Sequence, residues 1–335
     1  MVSGFMLKGW VELDGKRLTE IEVEKLLKES PASVSSFGGE FFLRWDGCGA
    51  RDHFGIIPGD CPAGSIVCDG EVVGAVDPQP PAVDLGRAIE IAVRLRSDEG
   101  AVALSGGVDS ALVAALARRD CIVVGVEGSA DLKQAKVVAD VLDLSLKTVT
   151  IDPGRIEEAL AEVLAVIPRS NPVDASIAAT LYFVAEWAGD HGYERILAGQ
   201  GADELFGGYA RYLETDTLAI DLERDFLSLP LQSARDQAVA GLFDAYFSLP
   251  YLDVRVMRAA GAIPAEEKVR GGIRKRPLRK VAALYMPIGV AYREKKAMQY
   301  GSGVMREMRR SARRRRYKGV QEWLNSIRRS PGFDG

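Results

Sequence analysis

Between Leu85 and Gly199, short apolar runs alternate with segments whose apolar residues recur at helical spacing. Four of the runs are typical of buried strands: GAVALS, CIVVGVEG, LKTVTI and ERILAG. A long helix over about Asp174–His191 precedes the last of them. This alternation favours a parallel sheet with helices on both faces, because each parallel strand needs a crossover to reach the next. The sequence therefore predicts an α/β fold, and beyond Gly208 its pattern is mostly helical.

The chain changes character at Asp77–Asp84, where three prolines in eight residues indicate a stiff linker. Before the linker, three short strand-like pieces lie between turns rich in Gly, Pro and Asp: EFFLRW, SIVCDG and EVVGAV. This pattern predicts a small β-rich domain in residues 1–80, followed by the α/β domain in residues 83–325. A chain of 335 residues is long enough for two domains of ordinary size.

Composition argues against several classes of protein. A net charge of −4 gives no overall sign of a nucleic-acid partner, and no apolar run approaches the roughly 18 residues that span a membrane. Two histidines are too few for chemistry built on several imidazoles. The four cysteines include no C-x-x-C pair, so we expect free thiols in a cytoplasmic protein rather than a zinc site or a disulfide framework.

The sequence SGGVDS stands where the first strand of the α/β region meets a helix. A helix N-terminus presents unpaired N–H groups and partial positive charge, which attract phosphate. Gly106 and Gly107 lack a Cβ, so the backbone can approach an anion closely. Ser105 and Ser110 add hydroxyl groups beside it. Asp109 would repel a phosphate, so we expect its carboxylate to bind Mg²⁺, which prefers oxygen ligands; a plain Gly-Gly turn is the alternative.

This junction resembles the PP-loop of the ATP pyrophosphatases, which split ATP between its α and β phosphates. The segment GQGADELFGGYARY closely resembles the G-E-G-A-D-E-L-F-G-G-Y motif of the asparagine synthetase family. Other segments resemble that family in the same order: ADLKQAKVVADVL, LPYLD, RPLRKVA and YREKKAMQYGSG. The resemblance covers about residues 83–304. It implies a PP-loop (HUP-like) fold, with ATP and Mg²⁺ as cofactors.

The resemblance also implies roles for residues outside the loop. ERILAG ends as a strand, so the second motif should lie at the carboxyl edge of the sheet, where open α/β folds bind ligands. We expect Val126, Gly199 and Gly201 to line the nucleotide site. Asp203 matches the family's second residue for Mg²⁺ and pyrophosphate, and it would hold the metal together with Asp109.

The family places a lysine near acyl transfer in an Arg-x-Lys motif, which here is Arg293-Glu294-Lys295. Its ammonium group would neutralise charge that builds up on the α-phosphate and on the tetrahedral intermediate. Lys295 is the candidate, and Lys296 beside it stays open. Two solvated surface lysines are the alternative.

Two departures from the family motifs fall where the acceptor substrate is expected. Gln200 stands where the family has glutamate, and its amide can hydrogen bond but cannot act as a base. Ser248 ends the sequence Tyr-Phe-Ser, where asparagine synthetases have Glu-Ala-Arg, so an arginine able to grip a carboxylate is missing. The predicted catalytic set is Gln200, Asp203 and Lys295. The two departures put aspartate as the substrate in doubt, and the identity of the carboxylate stays open.

The N-terminal region resembles only part of the family's glutaminase domain. FGGEFFLRWDG and ARDHFGIIP resemble its later strands, whereas Val2 and Ser3 stand where the catalytic cysteine is expected. We therefore expect a truncated remnant without a nucleophile. Nitrogen would come from free ammonia, from a separate glutaminase subunit, or from an amine on the substrate itself, as in β-lactam synthetases.

Together these features predict an ATP-dependent ligase that adenylates a small-molecule carboxylate and transfers the acyl group to ammonia or an amine. Two alternatives stay open: an intramolecular amide-forming enzyme, and a PP-loop tRNA-modifying enzyme. The basic segment Arg306–Lys318 is the reason for the second alternative. Most basic runs are solvated helix faces, so we expect neither a nucleic-acid nor a membrane partner, and the oligomeric state stays open.

Overall fold

The computed structural model describes residues 4–294 and 298–328. The strands in this part of the chain are β1 (Met6–Leu13), β2 (Lys16–Leu18), β3 (Gly38–Trp45), β4 (Cys48–Arg51), β5 (Ser65–Cys68), β6 (Glu71–Ala75), β7 (Ala101–Ala103), β8 (Cys121–Val126), β9 (Leu146–Ile151), β10 (Arg195–Leu197) and β11 (Tyr246–Ser248). The α-helices are α1 (Glu20–Glu29), α2 (Leu85–Arg96), α3 (Val108–Ala117), α4 (Ala130–Leu142), α5 (Arg155–Val166), α6 (Pro172–Asp190), α7 (Ala202–Phe206), α8 (Leu218–Leu227), α9 (Leu229–Ala240), α10 (Val254–Gly261), α11 (Ala265–Lys268), α12 (Arg276–Ala282), α13 (Ile288–Ala291), α14 (Met298–Gly301), α15 (Val304–Arg314) and α16 (Val320–Arg328). Strands and helices alternate from β7 to β10, as predicted.

A sheet with the strand order β11–β10–β7–β8–β9 forms the α/β part. β10, β7, β8 and β9 run parallel, with Leu197 opposite Val102 and Val102 opposite Cys121. The chain moves from β7 to β8 to β9 in one direction across the sheet, and β10 then joins the other side of β7. Right-handed crossovers therefore place α3 and α4 on one face and α5 and α6 on the other. The predicted parallel sheet with helices on both faces is confirmed.

Local sequence explains the main elements of this sheet. Every residue of β8 is buried, as expected for a parallel strand covered on both faces. α6 begins within two residues of its predicted start because Asn171 caps it, accepting hydrogen bonds from the N–H groups of Val173 and Asp174, with Pro172 in the first turn. β11 was not predicted, since three residues are too short to show a period.

Six strands among the described residues form a second, antiparallel sheet in the order β2–β1–β3–β4–β5–β6. Its buried face packs against α1, and the cluster consists of Val11, Val23, Leu27, Val34, Phe37, Phe41, Leu43, Trp45, Ala50 and Val76. The small β-rich N-terminal part fits the prediction. β1 was missed because Lys8 and Gly9 interrupt its apolar pattern. Gly9 adopts a left-handed φ of 82° and lies against the Glu40 carbonyl of β3.

Cys48 and Cys68 form a disulfide, which corrects the expectation of four free thiols. The antiparallel register of β4 and β5 places them directly opposite each other, and no short spacing pattern reveals such a pairing. Cys61 and Cys121 are free and buried. Burial raises the pKa of the Cys121 thiol to about 12. Because disulfides are typical of oxidising compartments, this bond does not support the expected cytoplasmic location.

The chain divides into two compact units, each assembled from segments that are not consecutive in sequence. The first unit comprises Met1–Asp98, Gln200–Pro230 and Ser248–Arg276, and the second comprises Glu99–Gly199, Leu231–Phe247 and Pro277–Gly335. The antiparallel sheet belongs to the first unit and strands β7–β10 to the second. The predicted division at residues 80–83 follows the linker, whereas these units follow contacts in space. None of the described helices is both long enough and apolar enough to cross a membrane.

Candidate active site

The glycine-rich junction forms the turn between β7 and α3 in the second unit. Ser110 is buried, and its hydroxyl accepts a hydrogen bond from the Ser105 N–H at 3.1 Å and donates to the Gly107 carbonyl at 3.3 Å. The two serine hydroxyls are 2.9 Å apart. Ser110 therefore braces the turn. Gly107 is the N-cap of α3 and has no side chain to cap the first N–H groups of the helix, which stay available to an anion.

The fold itself requires a glycine at position 106, apart from any role that Gly106 has in binding an anion. Its backbone is left-handed, with φ of 78°. A Cβ here would lie 2.7 Å from the backbone carbonyl carbon of Gln134 and 2.8 Å from the nitrogen of Ala135, both on α4. Only glycine fits such a conformation at such a distance. The loop between β7 and α3 therefore packs directly against the side of α4.

Gly199, the first residue of the second sequence motif, lies against this loop. β10 and β7 are neighbouring parallel strands, so their carboxyl ends meet at the same edge of the sheet. A Cβ on Gly199 would lie 3.0 Å from the Asp109 Cβ and 3.0 Å from the Ser110 nitrogen. The second unit therefore brings together most of the predicted loop residues: Ser105, Gly106, Gly107, Asp109, Ser110 and Gly199.

Val126 ends β8 at the same edge, and its N–H donates to the Ser302 carbonyl at 2.9 Å. Two side-chain oxygens nearby are buried and have no hydrogen-bond partner among the described residues: Ser129 Oγ and Gln134 Oε1. Buried polar atoms of this kind are costly unless water or a ligand satisfies them. They mark a place at the start of α4 for water or a polar ligand.

The start of α7 carries the remaining predicted residues, which belong to the first unit. Gly201 has a φ of 87°, and a Cβ on it would lie 2.6 Å from the Leu252 side chain. Glu204 is buried and accepts a hydrogen bond from the Tyr209 hydroxyl. The Asp203 side chain is 44% exposed. Of the two adjacent acids, Asp203 is therefore the one that a ligand can reach.

Lys275 is a site candidate that the sequence did not single out. Its Nζ lies 2.7 Å from Asp203 Oδ1, and its side chain is only 9% exposed. Its backbone is left-handed with φ of 55°, which is uncommon for a residue with a side chain. A Cβ on Gly208 would collide with both members of the pair, which accounts for this glycine of the motif. The basic run RKRPLRK was the only sequence signal.

The two family departures lie in different surroundings within the first unit. Ser248, where the family has arginine, is fully buried, and its hydroxyl donates to Glu40 Oε2 at 2.6 Å. The Leu249 N–H donates to the same carboxylate at 2.8 Å. Ser248 therefore faces the interior of this unit. Gln200 is half-buried and precedes Gly201, which contacts the Leu252 side chain.

A buried charge network ties this segment to the antiparallel sheet. Arg96 Nε donates to Glu40 at 2.8 Å, and Arg96 Nη1 donates to Asp253 at 3.0 Å. Burial is the largest single effect and raises both pKa values. The Arg96 charge, the hydrogen bonds to the carboxylates and, for Asp253, the charge of Arg255 together outweigh it, and they hold the pKa of Glu40 and of Asp253 below their ordinary values. His53 Nε2 donates to the Leu252 carbonyl at 2.9 Å. The network and this hydrogen bond fix the backbone around Leu252.

Lys295 and Lys296 lie outside the described residues, so their assignment stays a prediction. The chain just before them is anchored in the second unit by Arg279, which is buried. Arg279 Nη1 donates to the Arg293 carbonyl at 3.1 Å, and Nη2 donates to the Glu294 carboxylate at 2.8 Å. The two C-terminal basic motifs of the sequence therefore contact each other.

Parallel strands with a glycine-rich loop at their carboxyl edge, against which Gly199 packs, define an α/β protein of the PP-loop kind. The chain belongs to the asparagine synthase family, whose model matches residues 84–246 and 247–326. The resemblance that the sequence motifs indicate is thereby confirmed.

Three curated relatives show the extent of this similarity. A Methanocaldococcus jannaschii protein named as an asparagine synthetase (glutamine-hydrolyzing) is 32% identical over 73% of this chain and 54% of its own length. Asparagine synthetase B (glutamine-hydrolyzing) of Escherichia coli is 26% identical over 66% of this chain and 45% of its own length. The carboxyethyl-arginine beta-lactam-synthase of Streptomyces clavuligerus is 31% identical over 71% of this chain and 46% of its own length. The chain thus spans about half the length of these relatives.

Proposed function

We propose that the chain is an ATP-dependent, amide-forming ligase. It adenylates the carboxylate of a small molecule, releases pyrophosphate and transfers the acyl group to ammonia or an amine, with AMP as the second product. The observation that carries this proposal is the contact of Gly199 with Asp109 and Ser110, which joins the two motifs at one edge of the parallel sheet. Ligands of open parallel sheets bind at this edge.

The loop between β7 and α3 binds the phosphates of ATP in this proposal. The uncapped N–H groups and the positive end of the α3 dipole attract the anion. The hydroxyl of the half-buried Ser105 donates to a phosphate oxygen. Val126, Gly199 and Gly201 line the rest of the nucleotide, and the buried Ser129 hydroxyl gains a partner on binding.

The donors present fit Mg²⁺. Carboxylate oxygens of Asp109 and Asp203 are hard ligands, and residues 4–294 and 298–328 contain no cluster of three or more candidate metal ligands. Mg²⁺ in nucleotide sites commonly takes one or two carboxylates and fills its other positions with phosphate oxygens and water. When bound, it supplies positive charge to the leaving pyrophosphate. Lys275 holds Asp203 and adds a second positive charge at this group.

The chemistry has two steps. A carboxylate oxygen attacks the α-phosphorus of ATP, and the bond to the oxygen bridging the β-phosphate breaks. The amine nitrogen then attacks the acyl carbon, the bond to the AMP oxygen breaks, and the nitrogen loses a proton. In this proposal the Lys295 ammonium neutralises charge on the α-phosphate and the tetrahedral intermediate, and the Gln200 amide orients the acyl group.

The residues near the acceptor favour a substrate other than aspartate. The Gln200 amide can donate to a carboxylate or carbonyl, whereas the glutamate of the family would repel a carboxylate. Ser248 supplies no cation, and its hydroxyl is already bonded to Glu40. Nitrogen arrives as ammonia, from a separate glutaminase subunit, or as an amine on the same substrate, the last being the arrangement expected of a β-lactam synthetase. A cytoplasmic location stays a prediction.

A substrate screen tests the reaction. The purified chain is incubated with ATP, Mg²⁺ and single carboxylates, and AMP and pyrophosphate are measured with ammonium and with glutamine as separate nitrogen sources. Carboxylate-dependent pyrophosphate release supports the proposal. Efficient asparagine formation from aspartate and ammonium would overturn the substrate assignment. Glutamine hydrolysis that a Ser3→Ala control does not share would contradict the glutaminase-remnant interpretation.

The metal assignment has its own test. Asp109→Asn and Asp203→Asn should each abolish pyrophosphate release, because each removes a charge that holds the metal on the leaving group. Asp190→Asn, an exposed aspartate at the end of α6, is the matched control and should keep full activity. Near-normal turnover in either site variant would refute the assignment, provided that circular dichroism shows all three proteins folded.

A further inference from the structure

Helix α15 presents two opposite faces. Its buried face consists of Val304, Met305, Met308 and Ala312. Side chains at helical spacing on the other side are all arginines: Arg306, Arg309, Arg310 and Arg313. We call these four side chains the arginine face. A helix that buries its apolar stripe in this way is held in place by the protein and leaves its polar side exposed to solvent.

The charge of the arginine face is only partly neutralised. Glu307 is the acid of α15, and it accepts hydrogen bonds from Arg306 Nε at 3.2 Å and from Arg310 Nη1 at 2.9 Å. Within the part of the chain that the structure describes, Arg309 and Arg313 form no ion pair. Residues 304–318 hold eight cationic side chains and one acid, although the whole chain carries a net charge of −4. Such concentrated positive charge favours an anionic ligand.

A cavity of about 300 Å³ opens along the arginine face. Its lining consists of Tyr300, Met305 and the four arginines. Tyr300 is 52% exposed, whereas Met305 is buried beneath the face. Proteins that bind single-stranded nucleic acid combine a cationic groove for the phosphates with an aromatic ring on which a base stacks. The cavity offers both features.

We propose that the arginine face and Tyr300 form a binding surface for a single-stranded polynucleotide. Arg309 and Arg313 contact its phosphates, and the Tyr300 ring stacks on a base. The sequence alone favours no nucleic-acid partner, because a basic run is usually a solvated face. The arrangement of these arginines around a half-exposed aromatic ring is visible only in three dimensions, and it reverses that preference.

Two other occupants fit the surface less well. A helix that binds a bilayer inserts its own apolar face, but the apolar face of α15 is buried in the protein. A single phosphate group is satisfied by one or two guanidinium groups. Arg306, Arg310 and Arg315 already have acidic partners, and residues 304–318 hold five further cations. A repeating polyanion can contact several of these five cations at once.

The surface begins beside the proposed nucleotide site but does not depend on it. A Cβ on Gly303, the N-cap of α15, would lie 3.2 Å from the Val126 Cβ at the end of β8. A strand laid along α15 from its N-terminus therefore has one end at the carboxyl edge of the parallel sheet. All of these residues belong to the second unit. Binding can be measured without ATP, so it can fail while the ligase reaction stands.

Fluorescence anisotropy tests the proposal with labelled oligouridylate and oligothymidylate of about 12 nucleotides. Two phosphate contacts, one each from Arg309 and Arg313, predict a log–log salt slope of about −1.4 between about 50 and 200 mM salt. Arg309→Glu/Arg313→Glu should weaken binding at least about 10-fold and reduce the slope. Tyr300→Ala should weaken it about 10-fold, and Tyr300→Phe should retain it. Tighter binding of oligouridylate would identify RNA as the ligand, and tighter binding of oligothymidylate would identify DNA. Either result supports the proposed surface.

A matched control separates specific contacts from net charge. Arg94→Glu/Lys147→Glu makes the same change in charge at exposed residues of α2 and β9 and should bind as the unmodified chain does. Circular dichroism of every variant shows that the fold is intact. Equal weakening in the control, binding that does not respond to salt, or binding to phosphatidylserine vesicles without binding to either oligonucleotide would overturn the proposal.

Discussion

Gly106→Ala tests whether the loop between β7 and α3 depends on its contact with α4. The substitution adds a methyl group to a residue at φ of 78° and places it 2.7 Å from the Gln134 backbone. A left-handed backbone costs a residue with a Cβ about 1–2 kcal/mol. The collision adds about 1–3 kcal/mol, because a helix backbone cannot rotate away as a side chain can. We therefore expect the free energy of unfolding to fall by about 2–5 kcal/mol.

Gly192→Ala isolates the first of these costs. Gly192 also has a left-handed backbone, with φ of 75°, but a Cβ there would meet no atom within 4 Å. Its substitution should lower the free energy of unfolding by only about 1–2 kcal/mol. Both glycines belong to the second unit, so the difference between the two variants measures the contact with α4.

Urea unfolding followed by circular dichroism gives the free energies, and ATP–pyrophosphate exchange reports on the site. A displacement of reacting groups by about 1 Å can cost about 100-fold in rate, so Gly106→Ala should lose exchange by about that factor. Gly192→Ala should keep it. Equal losses of unfolding free energy, together with near-normal exchange in Gly106→Ala, would refute the reasoning.

Three further predictions concern other parts of the chain. Gln200→Glu should slow turnover of the native substrate roughly 100-fold without creating aspartate-dependent AMP formation, since a desolvated like-charge contact costs several kcal/mol; a faster variant would contradict this. The lowered pKa values of Glu40 and Asp253 mean that the unfolded chain binds more protons below about pH 4.5. The free energy of unfolding should therefore decrease as the pH is lowered through that range. The decrease should be less steep in Glu40→Gln, and urea unfolding at several pH values measures it. Alkylation of the denatured, unreduced protein should modify two cysteines, and modification of four would disprove the Cys48–Cys68 bond.

The parallel sheet could be predicted because its signals are local. Continuous apolar strands such as β8 and the cap of α6 at Asn171 lie within a few residues of each other in sequence. The antiparallel sheet was predicted only in outline, since β1 contains Gly9 at a left-handed φ and its strand character depends on pairing with β3. The disulfide was missed because strand register, not spacing, places its cysteines opposite each other.

The candidate site divides in the same way. The glycine of the loop at Gly106 was expected to admit an anion, whereas the structure adds the collision with α4 as an independent reason. Lys275 and Ser248 depend on long-range contacts: Lys275 reaches Asp203, and Ser248 bonds to a glutamate 208 residues away in sequence. These contacts could not be predicted from local sequence patterns, because they form only when segments distant in sequence pack into one unit.

The buried carboxylate of Glu40 makes the Leu249–Asp253 segment depend on the N-terminal sheet for its stability. Cutting the chain at the linker and discarding what precedes it would leave the Arg96 guanidinium short of one partner and the Ser248 hydroxyl without its acceptor. Removing one member of a buried ion pair costs about 3–5 kcal/mol, a large part of the stability of a whole domain. A shortened chain that starts after the linker should therefore not fold on its own. Evolution should also change the sheet and the Leu249–Asp253 segment together, because Glu40 of the sheet bonds to Leu249 and shares Arg96 with Asp253.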